Sequence, residues 1–132
     1  MTKVELYSVV VPNKPGKGAQ LLAAFKEAGV NFTAIWGYPV GKRRCRIDLV
    51  AENGALLKKA AKQLKIKLGK KQTAFHLTGE DHPGAVAEDL AKLAAQKINV
   101  YALQALCAGS GRFGVLIQVD QDAVKKAAKA LA

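Results

Sequence analysis

The strongest constraint on this chain is that most of it is written twice. NKPGKGAQLLAAFKEAGVNF at residues 13–32 is echoed by DHPGAVAEDLAKLAAQKINV at residues 81–100, a shift of 68 positions. The shift pairs Pro15 with Pro83, Gly16 with Gly84, Leu22 with Leu90, Phe25 with Leu93, Val30 with Ile98 and Asn31 with Asn99. After Glu52 and Asp120 the second copy drops one residue, and KKAAK at residues 58–62 then meets KKAAK at residues 125–129. A register held over such a span means two copies of one structural unit. A unit of about 65 residues buries little apolar surface alone, so the copies are expected to pack on each other or on a second chain.

Each copy reads in the same order. Residues 3–11 and 73–78 are rich in β-branched and aliphatic side chains and predict a first strand. A Pro-Gly turn follows, and Pro suits the opening turn of a helix because its missing N–H is an orphan there anyway. Helices are therefore expected to begin near Pro15 and Pro83, with Asn13 and Asp81 accepting from their free amides. Leu21, Leu22, Phe25 and Ala28, and then Val86, Leu90, Leu93 and Ala94, recur at helical spacing and give each helix one buried stripe. Gly29 reads as the stop of the first helix, whereas Lys97 stands at the same place in the second.

Residues 30–38 and 98–106 predict second strands, and residues 44–51 and 112–119 third strands. A short helix then presents Leu56, Leu57, Ala60, Ala61 and Leu64, or Val124, Ala127, Ala128 and Leu131, with lysines on its other face. The first copy adds residues 65–68 as a candidate fourth strand, for which the second has no counterpart. The expected fold is α+β: two tandem ferredoxin-like βαββαβ units, residues 1–69 and 70–132, with antiparallel sheets, helices on one face, and the second unit lacking its last strand.

Composition narrows the function. Half the residues are hydrophobic, so a folded chain is expected, and no apolar run approaches the roughly 18 residues of a membrane span. The N-terminus carries no secretory-leader pattern, and a cytoplasmic protein is expected. Cys45 and Cys107 lie outside any CxxC spacing and read as reduced, partly buried thiols. GSGRFG at residues 109–114 matches GxGxxG, but a strand pattern follows it where a nucleotide site needs a helix, so it reads as a hairpin turn. On the third strand only Phe113 stands where RNA-recognition modules carry several aromatics, so RNA binding through that sheet is not expected. His76 and His82 have no acid or cysteine at ligand spacing, and no nucleophile set is visible. No cofactor, metal or catalytic activity is expected. Trp36, Tyr38 and Tyr101 on the second strands read as core or interface side chains.

The formal charge of +11 is lopsided, with +9 on residues 1–68 and +2 on the rest. Lys58, Lys59, Lys62, Lys65, Lys67, Lys70 and Lys71 fall in a stretch with no acid anywhere from residue 53 to 79. Such a cluster is either a solvated helix face with a basic link or a surface for a polyanion or protein partner.

The two quoted stretches resemble the signature of the ACT domain family, in which a strand ends in an Asp/Asn-x-Pro-Gly turn, a helix with spaced leucines follows, and a Gly-Ile-Asn-Ile-like segment opens the second strand. The likeness covers nearly the whole chain and is closest to small stand-alone proteins of two tandem ACT modules. It implies a regulatory protein that binds an amino acid between paired modules, at the first turn and against the second strand of a neighbour. The physics agrees: amides at Lys14, Gly16, His82 and Gly84, with Ala85 beside them, lie where a helix N-terminus favours a carboxylate. Asn31 and Asn99, with both donor and acceptor, and Asn13 and Asp81, against an ammonium, are the expected ligand groups, the alternative being that all four only cap helices or turns; Tyr101 beside Asn99 is either a core or interface side chain or a wall of the pocket. Asp81 in place of Asn13 favours an ammonium at the second turn, whereas Lys14 and Lys17 favour an anion at the first.

The leading expectation is thus a non-catalytic amino-acid sensor, assembled as a homodimer or through its own two units, that acts on a metabolic enzyme or regulator. A basic polyanion- or protein-interaction module built on the lysine cluster is the alternative, with nucleic acid the less expected partner. A third reading is assembly through the sheet edge left open by the missing strand.

Overall fold

The computed structural model describes every residue, Met1–Ala132. In chain order it contains β1 (Thr2–Pro12), α1 (Lys17–Glu27), β2 (Phe32–Val40), β3 (Arg44–Ala51) and α2 (Gly54–Leu64), then β4 (Gln72–Glu80), α3 (Ala85–Ala95), β5 (Val100–Cys107), β6 (Arg112–Val119), a 3-10 turn at Gln121–Ala123 and α4 (Val124–Leu131). The same β-α-β-β-α series is therefore built twice, as the internal repeat requires, and β4 completes a βαββαβ run in chain order. Two compact units result, Glu5–Gln72 and Met1–Val4 with Thr73–Ala132.

In the first unit the strands run β2-β3-β1, and in the second β5-β6-β4. All these pairings are antiparallel. The two-residue alternation of a strand sends Tyr7, Val9, Ile47 and Leu49 toward one face, where they form a core with Leu21 and Phe25 of α1 and Leu57, Ala60 and Ala61 of α2. The second unit repeats this with Phe75, Leu77, Val115, Ile117 and Val119 against Leu93 of α3 and Ala127 and Leu131 of α4. Phe25 and Leu93, paired by the repeat, are each fully buried. Phe25 also meets Phe32 edge-on, with ring centroids 5.6 Å apart.

The helix ends explain where the expected boundaries shift. After α1, Gly29 takes φ 77° and Val30 N–H reaches back to Phe25 C=O at 2.9 Å. After α3, Lys97 takes φ 56° and Ile98 N–H bonds Leu93 C=O at 3.0 Å. Both are six-to-one closures with an apolar residue just beyond the turn, so Val30 and Ile98 are buried as parts of the cap. That is why β2 and β5 start two residues later than expected. Lysine thus holds the left-handed position that glycine fills in the first copy.

The segment 65–71 differs from its expectation. Lys65 ends α2 in a left-handed conformation (φ 57°) and Ile66 N–H closes on Ala61 C=O at 2.8 Å, which spends the first residues of the expected strand on a helix cap. The segment then runs irregularly, fastened by Gly69 N–H to Ser8 C=O at 2.7 Å. GSGRFG is the expected hairpin turn, with Gly109, Ser110 and Gly111 all at positive φ between β5 and β6. Both cysteines are free, but Cys107 is exposed rather than partly buried because it closes β5 at that turn.

Candidate functional site

At both Pro-Gly turns the residue that opens the helix is the glycine. Gly16 (φ 88°) and Gly84 (φ 85°) are the N-caps of α1 and α3, and neither helix has a side-chain cap. A Cβ at either glycine meets nothing within 4 Å, so the backbone angle, not space, demands glycine there. The expected capping by Asn13 and Asp81 does not occur, because the helices begin at Lys17 and Ala85, two residues beyond the prolines. Instead Asn13 N–H donates to Arg43 C=O at 2.9 Å and Asp81 N–H to Gly111 C=O at 2.8 Å, tying each turn to the hairpin of its own unit.

The free donors consequently lie further along than the sequence places them. Lys14 N–H is used by Pro12 C=O at 2.9 Å and Ala85 N–H by His82 C=O at 3.2 Å. The amides of Gly18 and Ala19, and of Val86 and Ala87, have no partner in the chain, as the first turn of a helix dictates.

In the second unit those open amides border a cleft of about 330 Å³. The turn and α3 contribute Asp81, His82, Gly84, Ala85, Val86 and Ala87; β5 contributes Ala105, Leu106 and Cys107, and β6 contributes Phe113. Four expected residues, Asp81, His82, Gly84 and Ala85, are thereby brought together. The other six lie outside the expected set: Val86 and Ala87 follow Ala85 on α3, and Ala105, Leu106, Cys107 and Phe113 come beside the turn only through the pairing of β6 with both β4 and β5.

Cys107 lies against Asp81, and its thiol is pushed above its ordinary pKa, first by desolvation and then by the hydrogen bond and charge of that carboxylate. His82 Nδ1 is 2.9 Å from Pro83 C=O, and its Nε2 is 4.0 Å from Glu88 Oε2, an ion pair when the ring is protonated. On the other side of His82 and Ala85, Glu80, Glu88, Asp89 and Lys92 border a second, more polar cleft of about 460 Å³.

Asn99 and Tyr101 do not join this group. They stand at the opening end of β5, and seven residues of strand at about 3.3 Å each put Asn99 roughly 23 Å from Leu106. Tyr101 is 62% exposed, not core. In the first unit Asn31 is a clip: its Nδ2 donates to Glu52 Oε2 at 2.8 Å, and Glu52 N–H donates to Asn31 C=O at 2.9 Å. Asn13, Lys14 and Gly16 are all exposed. The seven clustered lysines are exposed too, three of them along α2. No group of three or more His, Cys, Asp or Glu is placed to hold a metal, and no helix is long and apolar enough to cross a membrane.

No family model matches the sequence, and no curated protein is significantly similar to it. Solved structures do match. Protein BT0572 from Bacteroides thetaiotaomicron superposes with a TM-score of 0.85 at 16% identity, covering 98% of this chain and 86% of that one. The ligand-free regulatory subunit of aspartate kinase from Thermus thermophilus gives 0.65 at 16% identity over 98% and 89% of the two chains. The aspartate kinase of Clostridium acetobutylicum gives 0.59 at 17% identity, again over 98% of this chain but over 33% of the enzyme. At such identities the likeness is one of fold, and the fold this chain carries over nearly its whole length is the tandem ACT arrangement.

Proposed function

We propose that this protein is a non-catalytic regulatory module that binds a free amino acid in the cleft at residues 81–87. The observation that carries this reading is the opening of the unpartnered Val86 and Ala87 amides onto a concavity that also holds the Asp81 carboxylate. A zwitterion needs both ends answered. The helix N-terminus meets its carboxylate through donors and dipole, and Asp81 meets its ammonium. Ala105, Leu106 and Phe113 leave an apolar wall for the side chain. The first turn has Asn13 in place of Asp81 and carries Lys14 and Lys17, so the second unit holds the working site.

The fold is shared with regulatory subunits of aspartate kinase, which supports a role in regulating a metabolic enzyme in the cytoplasm. Assembly as a homodimer brings a neighbour's second strand, with Asn99 and Tyr101, to the open side of the cleft. Regulation then follows by linkage, because a ligand favours whichever assembly it binds more tightly. The test is calorimetric titration with each of the twenty amino acids on the wild-type protein and on Asp81→Asn. One or a few amino acids bind the wild type, and Asp81→Asn loses roughly tenfold or more in affinity, as a removed charge-assisted bond requires. Silent titrations on folded protein remove the reading.

A further inference from the structure

The first unit has another concavity, on the sheet face turned away from α1 and α2. Strand alternation puts Ser8, Val10, Arg46 and Asp48 on that face, and the segment after α2 passes beside it. The cleft has a volume of about 470 Å³ and is bordered by Arg44, Arg46, Lys67 and Lys70, with Ser8 and Gln72 among its polar groups and no acid in its lining. That volume is in the range of about 300–1,000 Å³ usual for small-molecule sites.

The cationic groups are supported from below. Asp48, only 2% exposed, accepts from Arg46 Nε at 2.9 Å, Ser8 Oγ at 2.7 Å and Tyr38 Oη at 3.3 Å. Its charge offsets Arg46 and holds the guanidinium in place. Arg44, Lys67 and Lys70 form no ion pair, so the cleft keeps an unbalanced positive charge. Like charges gathered round one concavity repel each other, and an anion of several charges relieves that repulsion. Guanidinium forks match phosphate and carboxylate oxygens in pairs.

The internal repeat shows that the fold itself does not ask for this arrangement. Ser8, Arg46 and Asp48 correspond to His76, Gly114 and Leu116. The second unit builds the same sheet with Leu116 buried where Asp48 stands in the first.

We propose that this cleft binds a compact phosphate-bearing anion of at least two charges, in addition to any amino acid bound at residues 81–87 and independently of that reading. The experiment titrates the full chain with inorganic pyrophosphate, reading heat and backbone amide NMR shifts, with citrate and a short single-stranded oligonucleotide as the other arms. Pyrophosphate binds at one site and moves the Ser8, Gly69 and Lys70 amides. Arg44→Gln with Lys70→Gln weakens it by about tenfold or more. Lys58→Gln with Lys59→Gln, on α2, leaves it unchanged, and citrate binds more weakly.

Both variant pairs are exposed, and melting temperatures like the wild type's confirm that they fold. No saturable binding at millimolar pyrophosphate, shifts confined to other residues, or equal affinity in the Arg44/Lys70 variant overturns the proposal. So does citrate binding as tightly as pyrophosphate. An oligonucleotide that binds more tightly than pyrophosphate, with steep salt dependence and equal sensitivity to the Lys58/Lys59 pair, also overturns it in favour of an extended polyanion surface. Amino-acid titrations on the Arg44/Lys70 variant read the other site separately.

Discussion

Replacing Asp48 by leucine tests whether the buried carboxylate of the first unit is bound to its neighbours or merely tolerated. The change deprives Arg46 Nε, Ser8 Oγ and Tyr38 Oη of their shared acceptor. Removing one partner of a fully buried ion pair costs about 3–5 kcal/mol. The Arg46 side chain is 27% exposed and regains some water, and the new leucine buries apolar surface worth about 1.5–2 kcal/mol. The expected net loss is therefore about 2 kcal/mol.

Arg46→Gly alone costs a similar amount, since it leaves the Asp48 charge buried without its cation and adds a glycine to a strand. The double variant, Arg46→Gly with Asp48→Leu, copies what the second unit has at Gly114 and Leu116. It is expected to cost no more than either single change, a coupling of about 2 kcal/mol. Urea unfolding followed by Trp36 fluorescence measures this, because Trp36 is the sole tryptophan and pairs directly with Asp48 across β2 and β3. With a slope near 1.5 kcal/mol per molar, each single variant lowers the midpoint by roughly 1.3 M. Additive losses in the double variant, or an unchanged midpoint for Asp48→Leu, refute the argument.

Further outcomes are expected. Lys97→Gly relieves a left-handed lysine and raises stability by about 0.5–1 kcal/mol, while Gly29→Ala at the matching cap lowers it by about 1 kcal/mol, both read from urea midpoints. Because Asp81 helps to hold the Cys107 thiol above its ordinary pKa, that thiol carries less thiolate at a given pH; Asp81→Asn shifts the pH profile of its alkylation by iodoacetamide to lower pH. A bound amino acid at residues 81–87 slows the same alkylation in the wild type, a direct check that the cleft is the site. Asn31→Ala frees the Glu52 clip and costs about 0.5–1 kcal/mol in thermal unfolding without changing amino-acid affinity.

Most of the architecture was readable in advance because the repeat ties each weak local signal to a second instance. The spans of β3 and β6 match their expectation, and so does the α1 stripe centred on Leu21 and Phe25, since apolar periodicity follows from which face is covered; in α3 only Leu93 of the expected stripe is buried, Ala94 is exposed, and Ala85 and Asp89 take the covered positions. The helix starts expected near Pro15 and Pro83 fall at Lys17 and Ala85, two residues on. Gly16 and Gly84 take the left-handed cap, and a glycine alone does not reveal the sign of its φ. Asn31 looked like a ligand group and is a clip to Glu52, a partner 21 positions away that only strand pairing brings near.

Residue order by itself determined the duplication, the element series and the candidate turn, because those depend on local spacing and on apolar residues seeking one face. Which donors remain open, and what stands opposite them, was decided by tertiary structure. Antiparallel pairing carries the end of β5 to Asp81 and its beginning, with Asn99, to the far side of the same sheet. In the first unit, the same pairing sets Arg44 and Arg46 on β3 beside the lysines that follow α2.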